Sequence, residues 1–352
     1  MQRTTRAVAA AVLLLAAPLA GAGCADSKSE ARPSPVPTLS PPVPVDLTPR
    51  VAERQFRTYV TNEDVARSAG DERLALTWTS DGQSAITAAD FRRAAFDGDP
   101  VERYEYGEAK LYVPKLKPES YPQWFVASVP RTVQGKKKST RTALMAFMLR
   151  GASDRWRLSL TTLLAPKARE PKVLIDRDGY ATPLATGDDS VLIRPRDVPG
   201  IQATIASEGP GSVAAKVMRS GPVTTGYYRQ TNVARKKARA KDLVLQLVYT
   251  ATPYQYFPLR TLHGGGMVLY SMFRSSVIGT PDGSTEKPPI PPEAAHLLDG
   301  TVEGTVINMA ETLQFATYVP GTVKGGKSQP KADVVANTGA VTKASTPPIK
   351  KP

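Results

Sequence analysis

Apolar residues recur at helical spacing where the aromatic-bearing part of this chain begins, and at strand spacing through most of its remaining length. Ala52, Phe56, Tyr59 and Val60 fall on one face of a helix. Thr48 is a fair N-cap and Pro49 suits the first helical position, so the pattern predicts a helix at 48–60. A second helix is predicted at 87–96, with Thr87 as N-cap and Phe91, Ala94 and Ala95 turned inward. The period then shortens to that of strands, predicted at 104–113, 124–132, 142–150 and 156–164 between proline, glycine or charged turns. Helices followed by strands on short loops indicate an α+β domain with a curved antiparallel sheet.

The same order returns further along. A connector at 165–187 holds a short apolar strand at 172–176. An apolar run at 191–193 leads to a helix at 198–206 and a second helical piece at 212–219. Long strands are predicted at 243–250, 256–262, 267–278 and 301–319, and Pro291-Pro292 opens a short helix. The expected architecture is two small α+β domains, 51–166 and 188–320, joined by a connector at 167–187. Residue-level similarity between the halves is too weak to establish a repeat.

Composition changes the picture mainly at the two ends. All 24 aromatic residues lie between Phe56 and Tyr318. Residues 1–23 have the grammar of a signal peptide: Arg3 and Arg6, then an apolar run at 7–20 that is too short to span a bilayer, which takes about 20 residues. Small residues Ala20-Gly21-Ala22-Gly23 precede Cys24, the only cysteine in the chain. This is the pattern of a bacterial lipobox, with Gly21 where leucine is favoured, and it marks Cys24 as a lipidation site. Residues 24–50 then read as a lipidated cysteine and a proline-rich spacer. Residues 321–352, with six Lys against Asp333, read as a disordered basic tail. The formal charge of +14 is partly a property of that tail.

Candidate chemistry is sparse. One Cys excludes an internal disulfide and a CxxC centre, and two His leave little for a metal cluster. Residues 321–328 fit the G-x-x-x-x-G-K-S pattern, but low-complexity sequence comes next where a P-loop needs a helix, so no nucleotide is expected. His263-Gly264-Gly265-Gly266 looks like an esterase oxyanion loop, yet no G-x-S-x-G elbow accompanies it, and a glycine-rich hairpin turn is the better reading. His296 reads as a helix-end residue, and Asp176, Asp178, Asp188 and Asp189 as loop carboxylates with only a fragment of a Ca²⁺ loop. Lys136, Lys137 and Lys138 sit in a hairpin loop, and Arg235, Lys236 and Lys237 just before the strand at 243. Both clusters are candidate contacts to an anionic surface, set against the plainer role of guarding strand edges. Tyr227-Tyr228 and the aromatics at 254–257 either line the mouth of a cone-like sheet or pack a core. Export and the lack of any reading module argue against nucleic acid.

Tyr112-Val113-Pro114, Trp124-Phe125-Val126, Arg155-Trp156-Arg157-Leu158, the run RPRDVP at 194–199, Leu259-Arg260-Thr261 and Gln314-Phe315-Ala316 resemble a family of exported actinobacterial proteins built on a domain of unknown function. The first half is also similar to the cone-shaped NTF2-like or cystatin-like fold. Taken with the repeated order of helices then strands, that resemblance gives the expectation of a tandem of such units, and it brings no catalytic residue, because the fold hosts enzymes and binders alike. The expectation is a protein lipid-anchored through Cys24 at the extracytoplasmic face of the membrane. It would bind an anionic wall polymer, an envelope protein or a small ligand, with no cofactor and no identified catalytic mechanism. The rival readings are a small-pocket hydrolase or isomerase with an acid–base site in the cone, and a transporter's substrate-binding lipoprotein, which would need alternating βα units.

Overall fold

Thr48 begins the fold as its spacing predicts. In the computed structural model, which describes residues 46–323 and 330–348, the Thr48 hydroxyl caps α1 (Pro49–Ala69) by accepting the Val51 N–H at 3.2 Å. The residues read as a signal peptide, Cys24, most of those read as a spacer and residues 324–328 of the P-loop pattern lie outside the described residues. α1 runs nine residues past the predicted end, to Gly70, which takes the left-handed conformation that closes a helix. A short α2 (Glu72–Thr77) follows, and α3 (Asp81–Asp97) starts at Ser80 rather than at Thr87, which is buried inside it.

The strands of the first half are β1 (Tyr104–Tyr106), β2 (Lys110–Tyr112), β3 (Gln123–Val133), β4 (Arg141–Leu149) and β5 (Arg157–Leu164). The single strand expected at 104–113 is two short pieces, both paired with β3. In the second half, α4 (Val198–Glu208) and α5 (Thr225–Arg239) precede β6 (Val244–Ala251), β7 (Phe257–Arg260) and β8 (Gly266–Gly279). A short α6 (Ala295–Leu298), β9 (Val306–Val319) and β10 (Asp333–Ser345) complete the chain. The class is α+β with an antiparallel sheet, as the pattern of periods indicates.

Two expectations are corrected. The strands do not form two sheets but one of ten strands, with the order β1-β3-β4-β5-β10-β9-β8-β6 and with β2 on β3 and β7 on β8. Pro42–Pro352 accordingly forms one compact unit, so 51–166 and 188–320 are halves of a single body. The tail is not uniformly unstructured either: β10, drawn from it, is an inner strand pairing β5 on one side and β9 on the other. β10 has no aromatic residue and buries Val335, Ala336 and Val341 instead. Gly339 lies so close to β9 that a Cβ would meet Leu313 Cδ2 at 2.5 Å.

β10 meets β5 only at Ala336–Leu164 and Asn337–Leu163, after which the strands part. Gln314 of β9, fully buried, stitches the gap. Its Oε1 accepts the Thr161 N–H at 3.0 Å, and its carbonyl accepts the Thr162 hydroxyl at 3.1 Å. α3 packs on the same seam against β5, β9 and β10. Elsewhere α1 lies on β2–β5 through Phe56 and Tyr59 against Phe147 and Phe125, aromatic burial worth about 1.5–3 kcal/mol per side chain. At its end, Arg67 is buried between Glu63 and the Glu102 carbonyl, while Tyr106 donates to Glu63 at 2.6 Å, fixing α1 to β1.

Candidate functional site

A cone-like sheet offers its concave side as the natural place for a ligand. Here that side is packed shut. The sheet curls until Trp124 of β3 meets Phe257 of β7 edge-on at 5.6 Å. Leu144, Leu160, Met267, Leu269 and Ala336, all buried, fill the space between. Strands from both halves contribute, so the core is continuous across the seam.

A small open space does occur on the other side of the second half, beneath α5. One row of side chains crosses the sheet there: Tyr249 of β6 opposite Arg274 of β8, and Arg274 opposite Glu311 of β9. The next row is Leu247, Ser276 and Met309. α5 closes over them with Gln230, Thr231 and Ala234, and Glu293 approaches from a 3-10 turn at Pro292–Ala294, leaving a cavity of about 160 Å³. Tyr227 of α5 stacks on Tyr249 with ring centres 5.3 Å apart.

The electrostatics of this row follow from partial burial. Arg274 and Glu311 are ion-paired, with side chains 28% and 16% exposed. Burial pushes the Glu311 carboxyl above the usual carboxylate range; Arg274 pulls against this and Glu293 adds to it. For Arg274, burial acts to weaken the charged form, but Glu311, Tyr249 and Tyr227 outweigh it and the guanidinium holds its proton more tightly. Burial also raises both tyrosines, so they remain neutral phenols. The arrangement is a neutralised pair on a polar floor with aliphatic walls. Its volume suits on the order of five waters at about 30 Å³ each and is below the roughly 300 Å³ of a typical small-molecule pocket.

The residues singled out from sequence fall in several places. Lys136, Lys137 and Lys138 are exposed on the β3–β4 loop, as expected, with Lys136 paired to Glu102 at 3.3 Å. Arg235, Lys236 and Lys237 lie in the last turns of α5, a helix not predicted from the sequence, just before β6. The two clusters do not form one surface. Beside the first, Arg141 binds the Leu164 carbonyl at the β5–β10 contact, which adjoins the C-terminal end of β9. The second leads into the start of β6, which pairs with Gly279 opposite Val306 at the other end of β9.

His263 and Gly264 take left-handed conformations in the β7–β8 hairpin, as the glycine-rich turn requires. His296 is in α6 as read, but buried, with Nε2 lacking a partner. Asp176 accepts the N–H groups of Asp178 and Tyr180, which makes it a turn-former. Asp188 pairs with Arg260 at 2.7 Å. Among the described residues, no group of three or more His, Cys, Asp or Glu is placed to hold a metal ion. Sequence reading missed Arg274 and Glu311 altogether: each stands alone in a long apolar strand, and only the strand register brings them together. The signal that was legible is a lone charge at an inward position of a predicted strand.

Fold and cavity define the class first: an α+β protein on one curved antiparallel sheet, its concave side filled and a small charged cavity under a basic helix. Residues 42–346 match the family model described as a domain of unknown function (DUF8094), and the chain belongs to that family. A protein of Streptomyces coelicolor named an uncharacterized lipoprotein is 27% identical over 349 residues, covering 94% of this chain and 92% of that one. A Streptomyces avermitilis protein, likewise named an uncharacterized lipoprotein, is 27% identical over 227 residues, or 62% of this chain and 63% of its own length. The actinobacterial family seen in the sequence is thus supported by its relatives. No solved structure matches the chain.

Proposed function

We propose that this protein is a lipid-anchored, extracytoplasmic binding or scaffold component of the cell envelope. The observation that carries the anchor is Cys24, the only thiol in the chain, directly after an apolar run and four small residues. A relative named a lipoprotein, similar along almost the whole length, supports it. Two acyl chains give stable membrane attachment where one gives only marginal binding. None of the described helices is long and apolar enough to cross a membrane. The proline-rich stretch after Cys24 would act as a spacer, at about 3.1 Å per residue if extended.

Binding is favoured over catalysis because the concave side is filled by Trp124, Phe257 and their neighbours. The acid–base alternative draws on one observation, the raised carboxyl of Glu311 in a cavity beside Tyr249. Its pairing with Arg274 and the small volume count against it. The exposed cations of the β3–β4 loop and of α5 are the surfaces proposed to meet an anionic partner. Replacing Cys24 by Ala should move the protein from the membrane fraction to the medium, measured by fractionation and immunoblot. Unchanged membrane association of Cys24→Ala would overturn the anchor.

A further inference from the structure

The sheet ends differently at its two edges. At one, β1 is only three residues long, and the Arg131 and Arg67 guanidinium groups lie over Tyr104, 4.3 Å and 4.7 Å from its ring centre. At the other, β7 and β6 follow one another along β8. The connector covers β7: Leu174 N–H donates to the Arg260 carbonyl, Arg260 N–H to Thr182, and Leu184 N–H to Pro258. α4 and α5 pack on the inward face of β6, but no described segment pairs with its free backbone edge. Among the described residues, the only backbone pairing made by 244–251 is with β8.

The strand itself carries no residue that guards an edge. Its eight residues, VLQLVYTA, include no charge, proline or glycine, the features that stop an edge from pairing with other chains. Leu245, Leu247 and Tyr249 turn toward α5, while Val244 and Val248 on the opposite face are 49% and 55% exposed. Val233 on α5 is 51% exposed. The same helix bears Arg229, Arg235, Lys236, Lys237 and Arg239 with no acidic residue.

We propose that β6 is a docking edge that receives an extended segment of a partner protein, with alternating apolar residues and acidic flanks. The partner's backbone would pair with the free side of β6, and its acidic residues would meet the cations of α5. Charge decides against a second copy as occupant. A two-fold pairing of β6 with itself would set two all-cationic α5 helices on one face of the joined sheet. The inference rests on the binding reading above but not on the lipid anchor.

The test uses the full chain in mild detergent and synthetic peptides of four Val-Thr repeats, flanked by two Glu at each end or by two Lys. The Glu-flanked peptide should bind at least tenfold more tightly, weaken as salt is raised, and slow amide exchange at 244–251. Lys236→Glu with Lys237→Glu, both on the exposed face of α5, should remove that preference without loss of folding. Two results would overturn the proposal: equal binding of both peptides, or exchange protection away from β6. So would a concentration-dependent dimer that protects 244–251 without peptide, since the occupant would then be a second copy. A chain that stays on the membrane without Cys24 yet shows this binding would refute the anchor and leave the edge intact.

Discussion

Arg274 and Glu311 sit opposite one another on β8 and β9, and what each does depends on the other. Removing one partner of a largely buried pair leaves a charge without compensation, whereas replacing both with apolar residues of similar size costs little. Arg274→Met should therefore lower stability by on the order of 3 kcal/mol. Arg274→Met with Glu311→Leu should recover most of that loss, as measured by urea denaturation. If Glu311 instead serves a reaction, the double variant would be stable and Glu311→Gln alone would abolish an activity.

His296 gives a pH signature. Burial, with Arg93 and Arg92 nearby and Asp97 opposing them, holds its imidazole below the ordinary value of 6.5. Its folded value is thus depressed, and protons bind the unfolded chain more readily. Stability present above about pH 6.5 is lost as pH falls toward the folded value, at no more than about 1.4 kcal/mol per pH unit for one proton. His296→Gln should flatten this dependence below about pH 6.5 in thermal melts; an unchanged slope would assign it to other groups.

At the scale of elements, β10 joins the two halves. Gly339→Val would drive a side chain into Leu313 and the Thr312 carbonyl, 2.5 and 3.1 Å from the new Cβ position. Overpacking of this kind costs about 1–3 kcal/mol, and a melting temperature no lower than that of the parent would count against the tight fit. Truncation before β10 should expose the edges of β5 and β9 and give aggregated protein. The strands of the main body were legible in sequence because alternation and turn residues mark them locally. β10 was not, since its Ala, Gly, Val and Thr residues look like low-complexity sequence until Leu313 and Phe315 are placed beside them. α5 was hidden for a related reason: Tyr227, Thr231 and Ala238 become a buried helix face only against β6.

At the scale of the molecule, one sheet and one continuous core predict one unfolding event. Trp78, Trp124 and Trp156 all lie in the first half, so tryptophan fluorescence reports that half and, through Trp124 against Phe257, its contact with the second. Circular dichroism reports every strand and helix. The two denaturation curves should coincide within error, because β10 and Gln314 couple the halves. Separate transitions would mean that the halves are independent domains after all, as their sequence order first suggests.

The amino-acid order alone determined the α+β class, the helix start at Thr48, the β3, β4 and β5 ladder, the hairpin at His263 and the place of the single thiol. Each of these depends on neighbours within a few residues: a cap, an alternation, a turn. Tertiary structure decided the rest. That two apparent domains share a sheet, that the tail supplies an inner strand, and that Arg274 faces Glu311 under α5 are contacts between residues tens to hundreds of positions apart. Periodicity carries no record of which strand pairs with which. The register is selected only when the whole sheet closes over its core.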